Sequence, residues 1–252
     1  MSVKDILLSN QWPEAVNPLL ICNISDESDK LERAEGILEF FINDDLQSKK
    51  FLDFGCGEGH LTKIASQKRT KISWGYDITE SWAAGNLTTN WDQIKQDAPF
   101  DIICLYDVVD HIEIETVDDI MKKLREVSNV DTKIYIRCHP WCGRHAGHLY
   151  DQINKAFVHV VFTEEELKDM GYTTTKITKI IHPITTYEGW FEPHFKIAKR
   201  DILTTPVEPF FKNNDLIKNR IVSHWKGSGD PVARQWPDFQ LRQSFLDYIL
   251  NL

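Results

Sequence analysis

Short apolar runs alternate with amphipathic stretches along the chain. In the amphipathic stretches, such as Leu31–Ile42 and Asp118–Val127, apolar residues recur every three or four positions, which predicts helices with one buried face. The apolar runs are too short for buried helices, and they predict strands at 51–54, 71–76, 100–107 and 133–138. Strands that alternate with helices are typical of an α/β fold with a mainly parallel sheet.

Three further strands are marked less clearly in the sequence. Leu87–Trp91 is the best candidate for a third strand, and Tyr172–Ile181 alternates well enough for a sixth. Phe195–Ile202 predicts a seventh strand, which would return antiparallel after a turn around Glu188-Gly189. We therefore expect the sheet to end in an antiparallel hairpin.

The chain divides into three predicted parts. Residues 1–24 form an N-terminal segment with a short helix, and residues 25–202 hold the predicted α/β domain. Residues 203–252 form a proline-broken extension that is rich in aromatic residues and that ends in a predicted helix over Leu241–Leu252. Because a large exposed aromatic surface is unfavourable, we expect the extension to pack on the domain or at an interface, which would include a homodimer contact.

The composition is that of an ordinary soluble protein. Of the 252 residues, 42% are hydrophobic and 27% are charged, which is enough apolar area for a full core. The sequence shows neither an apolar run of the ~18 residues that span a bilayer nor a secretory signal. Five cysteines without a regular framework are typical of a reducing compartment, so we expect a cytoplasmic location.

The net charge of −9 argues against a broad surface for nucleic acid, which requires a basic face. The acidity is concentrated in residues 1–48, which hold ten acids and three bases. The rest of the chain is therefore close to neutral, and a local groove for RNA or DNA stays open as an alternative. A small-molecule partner is favoured.

A glycine-rich turn follows the first predicted strand. Asp53 stands at the end of that strand, and Gly55, Gly57 and Gly59 come at every second position before a helix begins at His60. The glycines allow a sharp turn and leave room for a ligand against the main chain, and the helix N-terminus offers free N–H groups. The dinucleotide fingerprint requires glycine at the first, third and sixth positions, and His60 occupies the sixth.

An acid followed by Gly55-x-Gly57-x-Gly59 resembles the first motif of the class I S-adenosylmethionine-dependent methyltransferases. A second match supports the resemblance, because the run from Phe100 to Asp107 continues into Val108-Val109-Asp110-His111-Ile112, as the fourth strand of that family does. The resemblance covers roughly residues 35–202. It implies an α/β, Rossmann-like, doubly wound sheet of seven strands, mostly parallel with a terminal antiparallel hairpin, preceded by N-terminal helices.

The resemblance also implies a cofactor and the residues that hold it. Asp77 closes the second strand 24 residues after Asp53, where the two ribose hydroxyls need a bidentate acceptor. It could also cap the next helix. The cofactor expected is S-adenosyl-L-methionine, and the cofactor-binding residues expected are Asp53, Gly55, Cys56, Gly57, Gly59, Asp77, Ile78, Asp107 and Val108.

A segment rich in histidine follows the fifth predicted strand, and its twelve residues run from His139 to Tyr150. Open α/β sheets keep their sites at the carboxyl ends of strands, so this segment is a candidate substrate loop. In that interpretation His145, His148 or His139 takes a proton from the acceptor, and Arg144 holds a carboxylate or phosphate.

Two other interpretations of the segment stay open. Its histidines could be hydrogen-bonded structural residues, or Cys142, His145 and His148, with His139 or Cys138, could bind zinc. The spacing is short for a zinc site, and we expect no metal.

The sequence therefore favours a methyltransferase with an unknown, small-molecule acceptor. Asp107-Val108-Val109-Asp110 replaces the Asn-Pro-Pro-Tyr or Pro-Cys motifs that amino-group and cytosine-C5 DNA methylases carry. One alternative is an enzyme of another class, such as a lyase, a decarboxylase or a metal-assisted enzyme, that binds the same cofactor and uses residues 139–150. The other is a non-catalytic scaffold, although a degenerate pocket has no need for the complete set of acids and glycines.

Overall fold

The computed structural model describes residues 2–16, 26–79, 85–174, 182–224 and 241–252. Seven strands in these ranges form one sheet, and they are β1 (Lys50–Phe54), β2 (Ile72–Tyr76), β3 (Leu87–Thr88), β4 (Ile102–Tyr106), β5 (Lys133–Cys138), β6 (Lys196–Thr204) and β7 (Gln243–Asn251). Their order across the sheet is β3-β2-β1-β4-β5-β7-β6. The α/β, doubly wound architecture that the sequence predicts is confirmed.

Short helices connect the strands. The α-helices are α1 (Val3–Leu7), α2 (Glu27–Gly36), α3 (His60–Gln67), α4 (Trp91–Gln96), α5 (Val117–Glu126), α6 (Val158–Val161), α7 (Glu164–Asp169), α8 (Ile184–Phe191), α9 (Pro209–Asn213) and α10 (Asp215–His224). Helix α2 continues into a π-helical turn, Ile37–Ile42, which ends at Asn43 in a left-handed conformation. Asp26 caps the N-terminus of α2 by accepting a hydrogen bond from the Ser28 amide.

The central strands run parallel and in register. Strand β1 pairs with β2 and β4, so that Asp53 lies opposite Gly75 on one side and Cys104 on the other. Further parallel pairs join β2 to β3 and β4 to β5. Because the carboxyl ends of β1, β2 and β4 lie at one edge of the sheet, the residues that follow these strands emerge together.

The terminal antiparallel hairpin is present, but its second strand is not the expected segment. The Thr205 amide donates to the Arg242 carbonyl at 2.6 Å, and Ser244 Oγ donates to the Leu203 carbonyl at 3.1 Å. The end of β6 therefore lies beside the start of β7. The helix predicted over Leu241–Leu252 is wrong, because Leu246, Tyr248 and Leu250 are buried in the alternation of a strand.

The chain between β5 and β6 also differs from expectation. The turn predicted around Glu188-Gly189 is wrong, since both residues lie inside α8. The first three residues of the strand predicted over Tyr172–Ile181 are not in a strand, and residues 175–181 lie outside the described part of the chain. The strand predicted at Phe195–Ile202 is β6.

The chain folds into two compact units, each discontinuous in sequence. Unit 1 consists of Met1–Ile21, His139–Glu188 and Ile202–Leu246, and unit 2 of Cys22–Cys138, Gly189–Asp201 and Asp247–Leu252. Unit 1 thus contains the N-terminal segment, the histidine-rich segment and most of the C-terminal extension. Unit 2 contains the glycine-rich turn.

Each unit has its own apolar core. In unit 1, Trp12 is almost fully buried, its ring contacts Phe162, Phe210 and Phe211, and its Nε1 donates to the Ala156 carbonyl at 2.8 Å. These contacts tie the N-terminal segment to the C-terminal extension. In unit 2, the core is built between the sheet and the helices, from residues that include Ile42, Phe51, Leu61, Ile64 and Ile102.

Candidate functional site

The glycine-rich turn of unit 2 has a conformation that favours glycine at three positions. Gly55, Gly57 and Gly59 all have positive φ, at 78°, 52° and 81°. The amides of Gly55 and Cys56 both donate to the Tyr76 carbonyl, at 2.7 and 3.1 Å, which ties the turn to the end of β2. A Cβ atom at Gly55 would lie 2.5 Å from Val108 Cγ2. The turn therefore packs closely against the residues that follow β4.

Asp53 is buried directly beneath this turn. Its side chain is 4% exposed, and its Oδ2 accepts a hydrogen bond from Thr62 Oγ1 at 2.9 Å. Burial raises the pKa of Asp53 to about 7, and the charge of Asp77 acts in the same direction, while the bond from Thr62 opposes it. Asp53 is thus a carboxyl group held inside the protein next to the ligand turn.

Asp77 reaches the glycine-rich turn from the end of β2. Its Oδ2 accepts from the Gly57 amide at 2.9 Å, and its Oδ1 accepts from the Thr79 amide at 3.0 Å. These two bonds fix the plane of the carboxylate, and each oxygen keeps a second lone pair for a ligand hydroxyl. The neighbouring Ile78 is 86% exposed, which leaves an apolar side chain beside the carboxylate.

Cys56 lies within the turn and is half-buried. Burial raises the pKa of its thiol, and the carboxylates of Asp53 and Asp77 raise the pKa further. The thiol therefore stays protonated at neutral pH and is a poor nucleophile. Its position suits a contact with a bound ligand rather than covalent chemistry.

Asp107 and Val108 follow β4 at the same edge of the sheet. Asp107 has a left-handed backbone with φ of 57°, which is uncommon for a residue other than glycine. Its amide donates to the Arg137 carbonyl at 3.0 Å, and its Oδ2 accepts from Arg33 Nη2 at 2.7 Å. Asp53, Gly55, Gly57, Asp77, Asp107 and Val108 are thus gathered at the ends of three adjacent strands.

Sequence reasoning allowed α2 to edge the cofactor pocket, but it did not single out the residues of this helix that contact the site. Arg33 binds Asp107, Lys30 pairs with Glu58, and Glu27 Oε2 lies 2.8 Å from His60 Nε2. These three helix residues recur at every third position, so they share one charged face. The spacing was visible in the sequence, but it is equally typical of a helix face exposed to solvent.

The histidine-rich segment belongs to unit 1 and is a buried loop. Within it, His139 Nε2 and His145 Nε2 are 2.8 Å apart, a hydrogen-bond distance in which one ring donates and the other accepts. The ring centroids of His139 and His148 are 5.7 Å apart, and the Tyr150 ring lies 6.2 Å from those of His145 and His148. The loop therefore clusters all three predicted catalytic histidines.

His145 differs from an exposed histidine in its protonation. Burial lowers the pKa of His145 to about 3, and the neighbouring His139 and His148 lower it in the same direction. His148 has a positive φ of 49°, a strained conformation of the kind found at functional positions. At neutral pH, His145 is thus neutral, and its Nε2 atom is engaged with His139.

A fourth histidine of unit 1 was missed by sequence analysis. His159 is buried, its Nε2 lies 2.7 Å from the Trp141 carbonyl, and burial lowers its pKa to about 4. It packs against Gly147, where an added Cβ would meet three His159 atoms at 2.8 Å. A single histidine in an apolar stretch carries no sequence signal of such a contact.

Arg144 does not take the role of an anion-binding residue in this structure. Its Nη1 pairs with Glu208, its Nε donates to the Ala15 carbonyl at 3.1 Å, and its Nη2 donates to the Glu14 carbonyl. Arg144 therefore joins the three segments of unit 1. Cys142 Sγ contacts Gln243 Oε1 at 3.4 Å, and burial raises the pKa of that thiol to about 12.

Comparison with known proteins identifies the family of the chain. The methyltransferase domain family matches residues 27–171, which is more than half of the chain. No curated protein matches the sequence. In the described part of the chain, no helix has the length and apolar character needed to cross a membrane.

Solved structures share the fold at low sequence identity. A protein from Pyrococcus horikoshii OT3 is 12% identical with a TM-score of 0.51, covering 98% of each chain. An S-adenosylmethionine-dependent methyltransferase from Mesorhizobium loti is 11% identical with a TM-score of 0.51, covering 88% of this chain and all of its own. Magnesium protoporphyrin IX methyltransferase from Synechocystis PCC 6803, with bound SAH, is 14% identical with a TM-score of 0.50, covering 100% of this chain and 95% of its own.

Proposed function

The chain belongs to the methyltransferase domain family, and we propose that it transfers a methyl group from S-adenosylmethionine to a small-molecule acceptor. The observation that carries this proposal is the glycine-rich turn, in which Gly55, Gly57 and Gly59 are left-handed and Asp77 accepts from the Gly57 amide. Such a turn brings bare main chain and a fixed carboxylate to one place.

The residues present fit this cofactor. The close approach of Val108 to Gly55 leaves no room for a side chain at that glycine, so the turn and the residues after β4 can lie together only with glycine at this position. Asp77 would accept the two ribose hydroxyls with its remaining lone pairs, and Ile78 would offer an apolar surface to the base. Asp53, Cys56, Gly59 and Asp107 would complete the pocket.

S-adenosylmethionine supplies an electrophilic methyl group when it is bound, so the protein's tasks are alignment and proton removal. We propose that His145, with His139 and His148, accepts the acceptor's proton. The 2.8 Å contact between His139 Nε2 and His145 Nε2 supports this role, because a proton taken up by one ring can be shared with the other. The aromatic rings of Tyr150 and Phe245 lie beside the pair.

The charged groups of the protein limit the chemical class of the acceptor more than the fold does. Arg144 is engaged with Glu208 and two carbonyl groups, which argues against a carboxylate or phosphate bound at this residue. The net charge of −9 argues against a polynucleotide. We therefore propose a neutral or cationic small molecule with an aromatic or apolar portion.

The cellular context is part of the same proposal. Cys56, Cys104, Cys138 and Cys142 are free thiols, which supports a cytoplasmic location. A homodimer contact through the aromatic C-terminal extension stays a proposal as well, and it is supported by the aromatic composition of residues 203–252.

Calorimetric titration with S-adenosylmethionine and S-adenosylhomocysteine tests the cofactor site. We expect micromolar binding of both, and Asp77→Ala should weaken it by about 1.5–3 kcal/mol because charge-assisted hydrogen bonds are lost. Asp77→Asn keeps one acceptor oxygen, so its affinity should lie between those of the wild type and of Asp77→Ala. Failure of the folded protein to bind either compound would reject the proposed function, and unchanged affinity in Asp77→Ala would remove Asp77 from the site.

A further inference from the structure

One face of α2 carries charged residues whose partners lie on the glycine-rich turn, on α3 and on the loop that follows β4. Glu27 contacts His60 at 2.8 Å and Lys63 at 3.3 Å, and Lys30 pairs with Glu58, all at the glycine-rich turn or the helix that follows it. Arg33 instead reaches the loop that follows β4. The helix therefore bridges both loops through side-chain charges.

The Arg33–Asp107 pair is the part of this bridge that faces β4. Arg33 Nη2 lies 2.7 Å from Asp107 Oδ2, and the guanidinium lies 5.4 Å from the centre of the Tyr106 ring. The Arg33 side chain is 49% exposed and that of Asp107 is 25% exposed. An exposed ion pair of this kind is weak and exchanges readily, so another cation can replace the guanidinium.

Asp107 is fixed more firmly than its partner. Its left-handed backbone is tied to Arg137 through the amide, and the next residue, Val108, fills the space beside Gly55. The carboxylate is thus held at the glycine-rich turn, while the flexible side chain of Arg33 supplies its positive partner from the helix.

We propose that Arg33 competes with the positive charge of the cofactor for Asp107, and that it thereby sets the selectivity between S-adenosylmethionine and S-adenosylhomocysteine. This inference rests on the proposed function. The two compounds differ by one methyl group and one positive charge, because the electron pair of the broken carbon–sulfur bond stays on sulfur after transfer. A ligand with the extra charge gains attraction to Asp107, whereas the neutral thioether leaves Asp107 to Arg33.

The test compares the dissociation constants of both compounds for the whole protein, measured by calorimetry at low ionic strength. Arg33→Gln removes the competing charge and should tighten S-adenosylmethionine binding about two- to fivefold, the size of an exposed ion pair, with S-adenosylhomocysteine nearly unchanged. Arg33→Lys keeps the charge and should restore the wild-type ratio. Lys122→Gln is the control, because it removes a lysine from an exposed ion pair with Asp118 on α5, and it should leave the ratio unchanged.

A second variant shows whether Arg33 acts through Asp107. Asp107→Asn should weaken S-adenosylmethionine more than S-adenosylhomocysteine, and in that background Arg33→Gln should no longer change the ratio. Equal changes for both compounds would indicate a structural role and overturn the inference, as would weaker S-adenosylmethionine binding by Arg33→Gln. Absence of binding by the wild type would instead reject the proposed function, so the two failures are distinguishable.

Discussion

Asp53 is the buried group whose ionisation matters most for unit 2. Its pKa is raised from 3.8 to about 7, chiefly by burial. A carboxyl group whose pKa is raised in the folded state favours folding while it is protonated, and this stabilisation is lost as the pH rises from about 4 to about 7. At pH 8, the ionised and buried carboxylate of Asp53 should therefore lower the free energy of unfolding of the wild type.

We expect Asp53→Asn to stabilise the protein relative to the wild type at high pH and to have little effect near pH 4. The amide cannot ionise, and its oxygen can still accept from Thr62. The increase in the free energy of unfolding should rise with pH to at most about 4 kcal/mol, which is the free energy that corresponds to a pKa shift of about three. Urea unfolding between pH 4 and 8 measures it.

The control for this prediction is Asp119→Asn on α5, because the Asp119 side chain is 81% exposed. That variant should show no comparable change with pH. A constant difference between Asp53→Asn and the wild type across the range would show that Asp53 does not ionise within it.

At the scale of single residues, the sequence predicted which residues lie together because they directly follow neighbouring parallel strands. Asp77 and Val108 could be placed near the glycine-rich turn because parallel neighbouring strands end at one edge of the sheet. Arg33 and His159 could not be placed in this way. Their partners, Asp107 and the Trp141 carbonyl, are distant in sequence or lie across a turn, and no periodicity encodes such contacts.

At the scale of elements, the loop after β5 depends on a glycine that has an ordinary backbone conformation. An added Cβ at Gly147 would lie 2.8 Å from the Cβ, Cγ and Nδ1 atoms of His159, which is itself buried. We expect Gly147→Ala to displace His159 and to lower the free energy of unfolding by about 1–3 kcal/mol, the usual cost of overpacking.

Gly189→Ala is the matched control for this substitution. Gly189 lies inside α8 with no atom within 4 Å of an added Cβ, so the variant should gain about 0.5–1 kcal/mol from helix propensity. Chemical denaturation of both variants measures these changes. A neutral Gly147→Ala variant would mean that the loop can adjust without cost, and that His159 is not held by close packing.

The C-terminal strand shows why an element can be misread in sequence. The last residues are rich in leucine and tyrosine, which occur in helices and strands alike, and the period of two becomes clear only from Leu246 onward. The position of β7 between β5 and β6 depends on non-local contacts. Arg137 and Asp247, for example, form a bidentate pair at 2.6 and 2.5 Å across 110 residues of chain.

At the scale of the whole molecule, both units are assembled from distant parts of the chain. Continuous boundaries at residues 24 and 202 follow composition, whereas the compact units follow tertiary contacts such as those of Trp12 and Arg144. Sequence reasoning recovers β1, β2, β4, β5 and β6 because the apolar pattern of these strands is local. It does not recover unit 1, whose core is formed by segments that carry no pairing signal.

The two units should respond in opposite directions to pH. In unit 1, His145 and His159 have pKa values lowered from 6.5 to about 3 and about 4, so the stability of this unit is lost as the pH falls below about 6.5. In unit 2, the raised pKa of Asp53 causes stability to be lost as the pH rises towards about 7. Neither effect requires a ligand.

Hydrogen exchange, corrected for the intrinsic effect of pH and followed by mass spectrometry, separates these responses along the chain. From pH 7.5 to pH 5, we expect peptides from residues 139–174 to lose protection and peptides from residues 50–76 to gain it. His159→Gln should reduce only the loss of protection in residues 139–174. Asp53→Asn should reduce only the gain of protection in residues 50–76. If both regions instead changed in the same direction in the wild type, the pH response would belong to global unfolding, and these buried groups would not be its source.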